Sequence, residues 1–87
     1  MEIDNLAVGN RIKSIRLDEG ATMEEFGKIF NTSKGTVNNW EKGRNLPNKE
    51  NLLKIAKIGN ITVGQLLNGE HAQSRYNWDY IQNYIVK

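Results

Sequence analysis

The amino-acid sequence predicts a small all-α protein, with five short helices in a compact domain and an extra helix at the C-terminus. Apolar residues recur at helical spacing, and residues that cap helices precede most of these runs. No segment shows the sustained alternation of apolar and polar residues that is typical of a strand, and the single proline lies in a polar turn. The length of 87 residues suits one domain, near the small end of what can bury its own core.

The first two helices are predicted on either side of Gly20, a residue type suited to the left-handed end of a helix. The first covers about residues 6–18, and we expect its core-facing residues to be Leu6, Val8, Ile12, Ile15 and the stem of Arg16. Thr22 and Glu25 form a capping box at the start of the second helix. That helix ends at Asn31, which tolerates positive φ, and its inward residues are Phe26, Ile29 and Phe30.

Three more helices are predicted after Asn31. Ser33 caps the third, over residues 34–42, and Gly43 stops it; Val37 and Trp40 face inward and Thr36 is partly buried. After a turn at 45–47, Asn48 caps the fourth, with an apolar face of Leu52, Leu53, Ile55, Ala56 and Ile58. Thr62 and Gln65 repeat the capping box before a fifth helix that contains Val63, Leu66 and Leu67 and closes at Asn68 and Gly69.

The composition argues against several classes of protein. Without cysteine the chain has neither disulfides nor thiolate metal ligands, and its single histidine, His71, cannot build a metal cluster or a catalytic triad. We therefore expect no enzyme activity, no metal and no cofactor. No apolar run approaches the roughly 20 residues of a membrane span, and the N-terminus is acidic where a signal peptide is basic. We expect a cytoplasmic protein that does not bind membranes.

Charge is unevenly distributed although the net charge is only +2. Residues 28–49 contain one acid, Glu41, against five basic residues: Lys28, Lys34, Lys42, Arg44 and Lys49. Such a segment is typical of phosphate binding, but short basic stretches are also common on ordinary solvated surfaces. Charge alone leaves both interpretations open.

The segment 23–40 carries the functional signal. Its two short helices are separated only by residues 31–33, and Gly27 is small where the second helix must cross the first. The shared core of the pair consists of Phe26, Phe30, Val37 and Trp40. A helix pair with so short a turn projects its second helix outward, and in DNA-binding versions that helix enters the major groove.

Residues 9–69 resemble the XRE family of helix-turn-helix regulators, which includes the lambda-type phage repressors and Cro. The matching segments are Gly9 to Ile12 with Arg16, then 22–27, 32–37, 40–44, 46–47, 51–56 and 61–69, in family order and spacing. The resemblance implies a lambda-repressor-like DNA-binding domain over residues 1–70. It also implies a sequence-specific transcriptional regulator, typically a prophage or mobile-element repressor that binds an inverted repeat of double-stranded DNA as a homodimer.

The resemblance also implies roles for individual residues. The first turns of the recognition helix usually read bases, here Lys34, Gly35, Thr36, Asn38 and Asn39, of which Asn39 is the leading candidate and Lys34 the second. Phosphate contacts are expected from Thr22, Met23, Ser33, Lys42, Arg44, Asn45 and Lys49. For Lys28 an exposed helix face is the better interpretation. Arg16 and Glu41 are expected to pair with each other as structural support.

Two positions depart from the family pattern. Met23 stands where members often carry glutamine, whose amide binds a phosphate, so that contact is left to the backbone N–H groups at this helix start, with the hydroxyls of Thr22, Ser33 and Thr36 adding to it. Gly35 removes a base-reading side chain, which shifts specificity toward DNA shape. Its lack of a side chain suits either a close approach to the groove floor or a neutral substitution near a helix start.

Residues 71–87 lie outside the resemblance and are rich in aromatic residues. Asn77 can cap a helix with Trp78, Ile81 and Ile85 on one apolar line, and with Tyr80 and Tyr84 on another. This tail is interpreted as a packing helix on its own domain, as a dimer interface, or as the start of a connection to a further domain. The alternative function is an antitoxin-like or adaptor module that grips a protein partner through Trp78, Tyr80 and Tyr84.

Overall fold

The computed structural model describes residues 3–69, which form five α-helices and no strand: α1 (Asn5–Asp18), α2 (Met23–Ile29), α3 (Lys34–Glu41), α4 (Lys49–Ile58) and α5 (Val63–Asn68). The predicted all-α class and its five helices are confirmed. The predicted C-terminal helix, the boundary after residue 70 and the aromatic tail lie outside the described residues. No helix between residues 3 and 69 is long and apolar enough to cross a bilayer.

Each helix begins at a side chain that accepts hydrogen bonds from its first turn, and the five capping residues are Asp4, Thr22, Ser33, Asn48 and Thr62. Both predicted capping boxes are present. In the first, Glu25 N donates to Thr22 Oγ1 at 3.0 Å and Thr22 N donates to Glu25 Oε1 at 2.9 Å. The cap at Asp4 was not predicted, and α1 therefore begins one residue before the expected position.

The first four helices end in the same left-handed turn. The residue after each C-cap has positive φ: Gly20 at 70°, Asn31 at 56°, Gly43 at 75° and Asn60 at 58°. In each turn the residue that follows the one with positive φ donates its backbone N–H to the carbonyl five positions earlier, as Arg44 N does to Asn39 O at 3.0 Å. These are Schellman motifs, and they reverse the chain within a few residues.

The core lies around α1, which packs against α3, α4 and α5, while α2 packs on α3 and α4 on α5. The buried apolar residues come from all five helices: Val8, Ile12, Ile15, Phe26, Phe30, Val37, Trp40, Leu52, Ile55, Ala56 and Leu66. Because α1 contacts both α3 and the last helix, it fixes the position of the recognition helix within the domain.

Three residues that the helical pattern placed in the core are exposed. Leu6, Ile29 and Leu53 have exposed fractions of 55%, 51% and 53%. Leu6 is in the first turn of α1, and Ile29 is the last residue of α2. Leu53 follows the buried Leu52 and so lies about 100° further around the helix. An apolar side chain is buried only where another element covers its side of the helix.

Candidate nucleic-acid interface

The helix-turn-helix unit is held together by an aromatic chain between α2 and α3. The rings of Phe26 and Phe30 have centroids 4.9 Å apart, and those of Phe30 and Trp40 5.7 Å apart, both edge to face. A Cβ on Gly27 would lie 2.8 Å from the carbonyl oxygen of Thr32. Gly27 thus permits the close approach that was predicted, although the group that approaches is the turn backbone.

The outward face of α3 is set by the residues that it buries. Val37 and Trp40 have exposed fractions of 0% and 3% and point into the core. At about 100° per residue, Gly35 then lies at the centre of the opposite side. Asn38, Asn39 and Lys42 lie within about 60° of Gly35, with Asn38 and Asn39 half-buried. The exposed Lys34 lies on one flank of this face, and Thr36 lies on the other, where its hydroxyl is 3.1 Å from Ser33 Oγ.

Gly35 has no structural need to be glycine. A Cβ at this position would meet only Ser33 Oγ, at 3.7 Å, which is ordinary van der Waals contact. Gly35 is exposed, lies within α3 and has no positive φ. The fold therefore offers no reason for its choice, and the centre of the outward face is bare backbone.

Asn39 and Arg44 form a side-chain hydrogen bond that the sequence did not predict. Arg44 Nη1 donates to Asn39 Oδ1 at 3.1 Å, and Arg44 N donates to the Asn39 carbonyl at 3.0 Å. Gly43 makes this geometry possible because its left-handed conformation returns the chain toward the end of α3. The leading base-reading candidate and the strongest phosphate candidate are thus in direct contact.

Arg16 and Glu41 form the pair that the sequence predicted. Both side chains are buried, and Arg16 Nε donates to Glu41 Oε2 at 2.6 Å while Nη2 donates to Oε1 at 3.1 Å. A third donor, Nη1, reaches the carbonyl of Ala21 at 3.0 Å. The hydrogen bonds to Glu41 raise the pKa of Arg16 above its ordinary value, against the opposing effect of burial. The carboxylate of α3 is therefore withdrawn from the surface and neutralised.

Backbone packing reinforces this attachment of α1 to α3. A Cβ on Gly9 would lie 2.5 Å from the carbonyl oxygen of Glu41 and 2.8 Å from its carbonyl carbon, so α1 touches the backbone of α3 directly. The sequence marks Gly9 only as one of the residues that match the family pattern. Two residues further along α1, Arg11 Nη1 donates to the carbonyl of Leu66 in α5 at 2.9 Å.

The phosphate candidates fall into two groups. Lys42, Arg44, Asn45 and Lys49 are all exposed and follow one another from the end of α3 to the start of α4. The exposed Thr22 and Ser33 cap α2 and α3, whereas the half-buried Met23 packs against the core. Thr22 and Met23 thus lie at the start of α2 and Ser33 lies in the turn before α3, whereas the other four candidates lie beyond the end of α3.

One polar cleft beside α3 was missed by the sequence analysis. Asn10 and Lys13 of α1 line it together with Asn38 of α3 and Lys42, the C-cap of α3. Lys13 precedes the basic segment, which begins at residue 28. Its spacing from Asn10, three positions along α1, was the available signal, because residues three apart share a helix face.

Comparison with known proteins identifies the class of protein to which this fold belongs. The helix-turn-helix family model matches residues 12–72. The chain belongs to the helix-turn-helix family of transcriptional regulators, the XRE class that its sequence resembles. It has the DNA-binding fold of that family, which consists of regulators rather than enzymes.

Three curated relatives support the assignment. The transcriptional activator BcrR of Enterococcus faecalis is 30% identical over 81 residues, which cover 86% of this chain and 40% of that protein. The regulator DicA of Escherichia coli is 30% identical over 70 residues, 80% of this chain and 52% of DicA. The regulator ImmR of Bacillus subtilis is 24% identical over 80 residues, which cover 92% of this chain and 63% of ImmR. The chain spans between 40% and 63% of the lengths of these relatives.

Two solved structures share the fold. The P22 c2 repressor, solved in complex with the synthetic operator 9T, is 30% identical with a TM-score of 0.66, over 72% of this chain and 96% of that one. The clp gene regulator ClgR from C. glutamicum is similar in fold, with a TM-score of 0.61 and 24% identity. This match covers 76% of this chain and 86% of the ClgR chain. The lambda-repressor-like architecture predicted for the helical domain is thereby confirmed.

Proposed function

We propose that this protein is a sequence-specific repressor that inserts α3 into the major groove of double-stranded DNA. The observation that carries this proposal is the composition of the outward face of α3. Two amides and a bare glycine lie between Lys34 and Lys42, and the one carboxylate of the helix is buried against Arg16. A helix of this width fits the major groove, where each base pair presents a distinct pattern of donors and acceptors.

Each residue of the face has a role in this proposal. Lys34 donates to guanine, Asn38 and Asn39 hydrogen bond with base edges, and Thr36 reaches the edge of the contact. Gly35 reads the DNA by close approach of its backbone, because nothing in the fold otherwise requires a glycine there. A well-formed contact with a base contributes roughly 1–3 kcal/mol of discrimination.

Phosphate contacts fix the orientation of α3 in the groove. We assign them to two groups: Thr22, Met23 through its backbone and Ser33 at the N-termini of α2 and α3, and Lys42, Arg44, Asn45 and Lys49 after the end of α3. Lys13 extends the second group, since it shares a cleft with Lys42. Contacts of this kind make binding sensitive to salt without reading sequence.

We further propose that two copies bind an inverted repeat whose half-sites are one helical turn apart, roughly 34 Å. The similarity to the P22 c2 repressor, which was solved with an operator, supports this arrangement and an origin in a prophage or another mobile element. The protein then acts in the cytoplasm, where such DNA lies. Sedimentation of the full chain with a duplex of one or two half-sites measures how many copies bind.

The test of base reading is selection from a random duplex library near physiological salt, with wild type, Lys34→Ala and Asn39→Ala in parallel. Wild type should enrich an inverted repeat, and each variant should relax one position in each half-site. Lys54→Ala is the matched control, because Lys54 is exposed on α4 outside the assigned face. If wild type enriches no sequence, base reading by α3 is wrong.

A further inference from the structure

The contact between Asn39 and Arg44 restricts what Asn39 can offer to DNA. A free asparagine amide has an oxygen acceptor and an NH₂ donor, and with both it pairs with adenine N6 and N7. In this structure Arg44 Nη1 donates to Asn39 Oδ1 at 3.1 Å. An arginine guanidinium has donors and no acceptor. Only the amide oxygen of Asn39 can therefore face Arg44, and its Nδ2 is turned away from it.

The backbone holds the two residues in this arrangement. Arg44 N donates to the carbonyl of Asn39 at 3.0 Å within the turn at Gly43, which brings Arg44 back beside the last turn of α3. Asn39 is half-buried, which limits the freedom of its side chain. The contact is thus built on the backbone at the end of α3. No separate loop has to become ordered before the two side chains meet.

We propose that Arg44 is a positioning residue that determines which base Asn39 reads. The bond to Arg44 uses one lone pair of the amide oxygen and turns this oxygen toward the guanidinium. Asn39 therefore presents its Nδ2 donors to the groove and selects guanine, whose N7 and O6 are both acceptors, over adenine. The inference rests on the proposed base reading by Asn39 and specifies its preference. The Nε and Nη2 of Arg44 make no hydrogen bond within residues 3–69, so the same guanidinium retains donors for a phosphate.

The experiment uses the full chain and the half-site position that Asn39→Ala relaxes. Affinities are measured by fluorescence anisotropy for four duplexes that differ only in that base pair. Wild type should bind the guanine duplex about tenfold or more tightly than the adenine duplex, a ratio within the usual range for one base contact. Arg44→Ala frees the amide oxygen, so it should abolish this preference or reverse it toward adenine.

A matched control separates positioning from phosphate binding. Lys49→Ala removes an assigned phosphate contact that does not touch Asn39, so it should weaken all four duplexes equally and leave the preference unchanged. If Arg44→Ala behaves like Lys49→Ala, Arg44 only binds phosphate and the positioning role is overturned. Asn39→Asp supplies an independent check, because it keeps an acceptor for Arg44 but removes the donors. Its preference should move to cytosine, whose N4 donates.

Failure of the proposed function gives a different result from failure of this inference. If Asn39→Ala leaves every position of the selected sequence unchanged, Asn39 does not read bases and both proposals for it fall. If Asn39→Ala relaxes a position and the wild type prefers adenine there, base reading stands and the role of Arg44 is overturned. Circular dichroism of each variant checks that the substitutions leave the helices intact.

Discussion

Arg16 and Glu41 join α1 to the last residue of α3 through two hydrogen bonds, Nε to Oε2 at 2.6 Å and Nη2 to Oε1 at 3.1 Å. The exposed fractions of the two residues are 7% and 6%. A buried pair of this kind is weak evidence for net stability, since removing two charges from water offsets their attraction. Its geometric effect is definite, because it fixes the end of the recognition helix against the scaffold.

Removing one member of the pair should therefore be costlier than replacing both. Glu41→Ala leaves the Arg16 charge buried without its partner and should lower the free energy of unfolding by roughly 3–5 kcal/mol. Arg16→Met combined with Glu41→Leu should recover most of that loss. Urea unfolding followed by circular dichroism gives both values. A loss below about 1 kcal/mol for Glu41→Ala would show that water reaches the arginine.

Two glycine-to-alanine changes should shift stability in opposite directions. Gly35→Ala places a methyl group in open space on an exposed helix face and should raise the free energy of unfolding by roughly 0.5–1 kcal/mol. Gly9→Ala drives a Cβ into the carbonyl groups of Trp40 and Glu41 and should lower it by roughly 1–3 kcal/mol. Thermal unfolding in one buffer compares them.

The same Gly35→Ala variant tests the approach of α3 to DNA. If the backbone of Gly35 lies against the groove floor, the added methyl group should weaken binding although the protein is more stable. Affinity for the selected duplex and for an unrelated duplex is measured side by side, and only the first should fall. Equal affinities for wild type and variant would place Gly35 away from the bases.

Phosphate contacts should be visible in the salt dependence of binding. Lys42→Ala and Lys49→Ala should each reduce the slope of log affinity against log salt by about 0.9, with similar losses on selected and unrelated DNA. Lys54→Ala is the control, because Lys54 is not one of the assigned phosphate contacts. It lies beside an open apolar groove between α4 and α5 that Leu53, Ile61 and Val63 line. If Lys49→Ala has the same slope as the wild type, Lys49 does not contact a phosphate.

The two capping threonines allow stability and DNA contact to be separated. Thr22→Ala disrupts the capping box of α2 and Thr62→Ala disrupts that of α5, and each should lower the free energy of unfolding by roughly 0.5–2 kcal/mol. Thr22 Oγ1 accepts a hydrogen bond from Glu25 N, which leaves its own proton for a phosphate oxygen. Only Thr22→Ala should weaken DNA binding when both variants are fully folded. Equal affinities would limit Thr22 to capping.

The sequence was sufficient to predict features that depend on neighbouring residues. The caps at Thr22 and Ser33 and the left-handed ends at Gly20 and Asn31 involve groups within a few positions of one another, so residue type and order determine them. The outward face of α3 also followed from the sequence, because the burial of Val37 and Trp40 fixes the opposite side.

What the sequence could not predict depends on how the helices meet. The contact of Gly9 with Glu41 and the bond from Arg11 to Leu66 link residues that only tertiary packing brings together. The exposure of Leu53 has the same origin, because the side of α4 that becomes buried depends on where α1 and α5 pack against it. The contact between Asn39 and Arg44 is local, but it requires the turn at Gly43 to be closed in three dimensions.

The four Schellman turns also determine how quickly this domain acquires its structure. Each closes within six residues, so most of the hydrogen bonds form with little loss of chain entropy from loop closure. Helical domains with such local connectivity have low contact order and fold in about microseconds to milliseconds. The bonds from Arg11 Nη1 to the carbonyls of Leu66 and Leu67 span 55 and 56 positions, more than any other hydrogen bond between residues 3 and 69. They carry the largest entropic penalty of these bonds and are expected to form last. A copy that unfolds while off DNA can therefore regain its binding face almost at once.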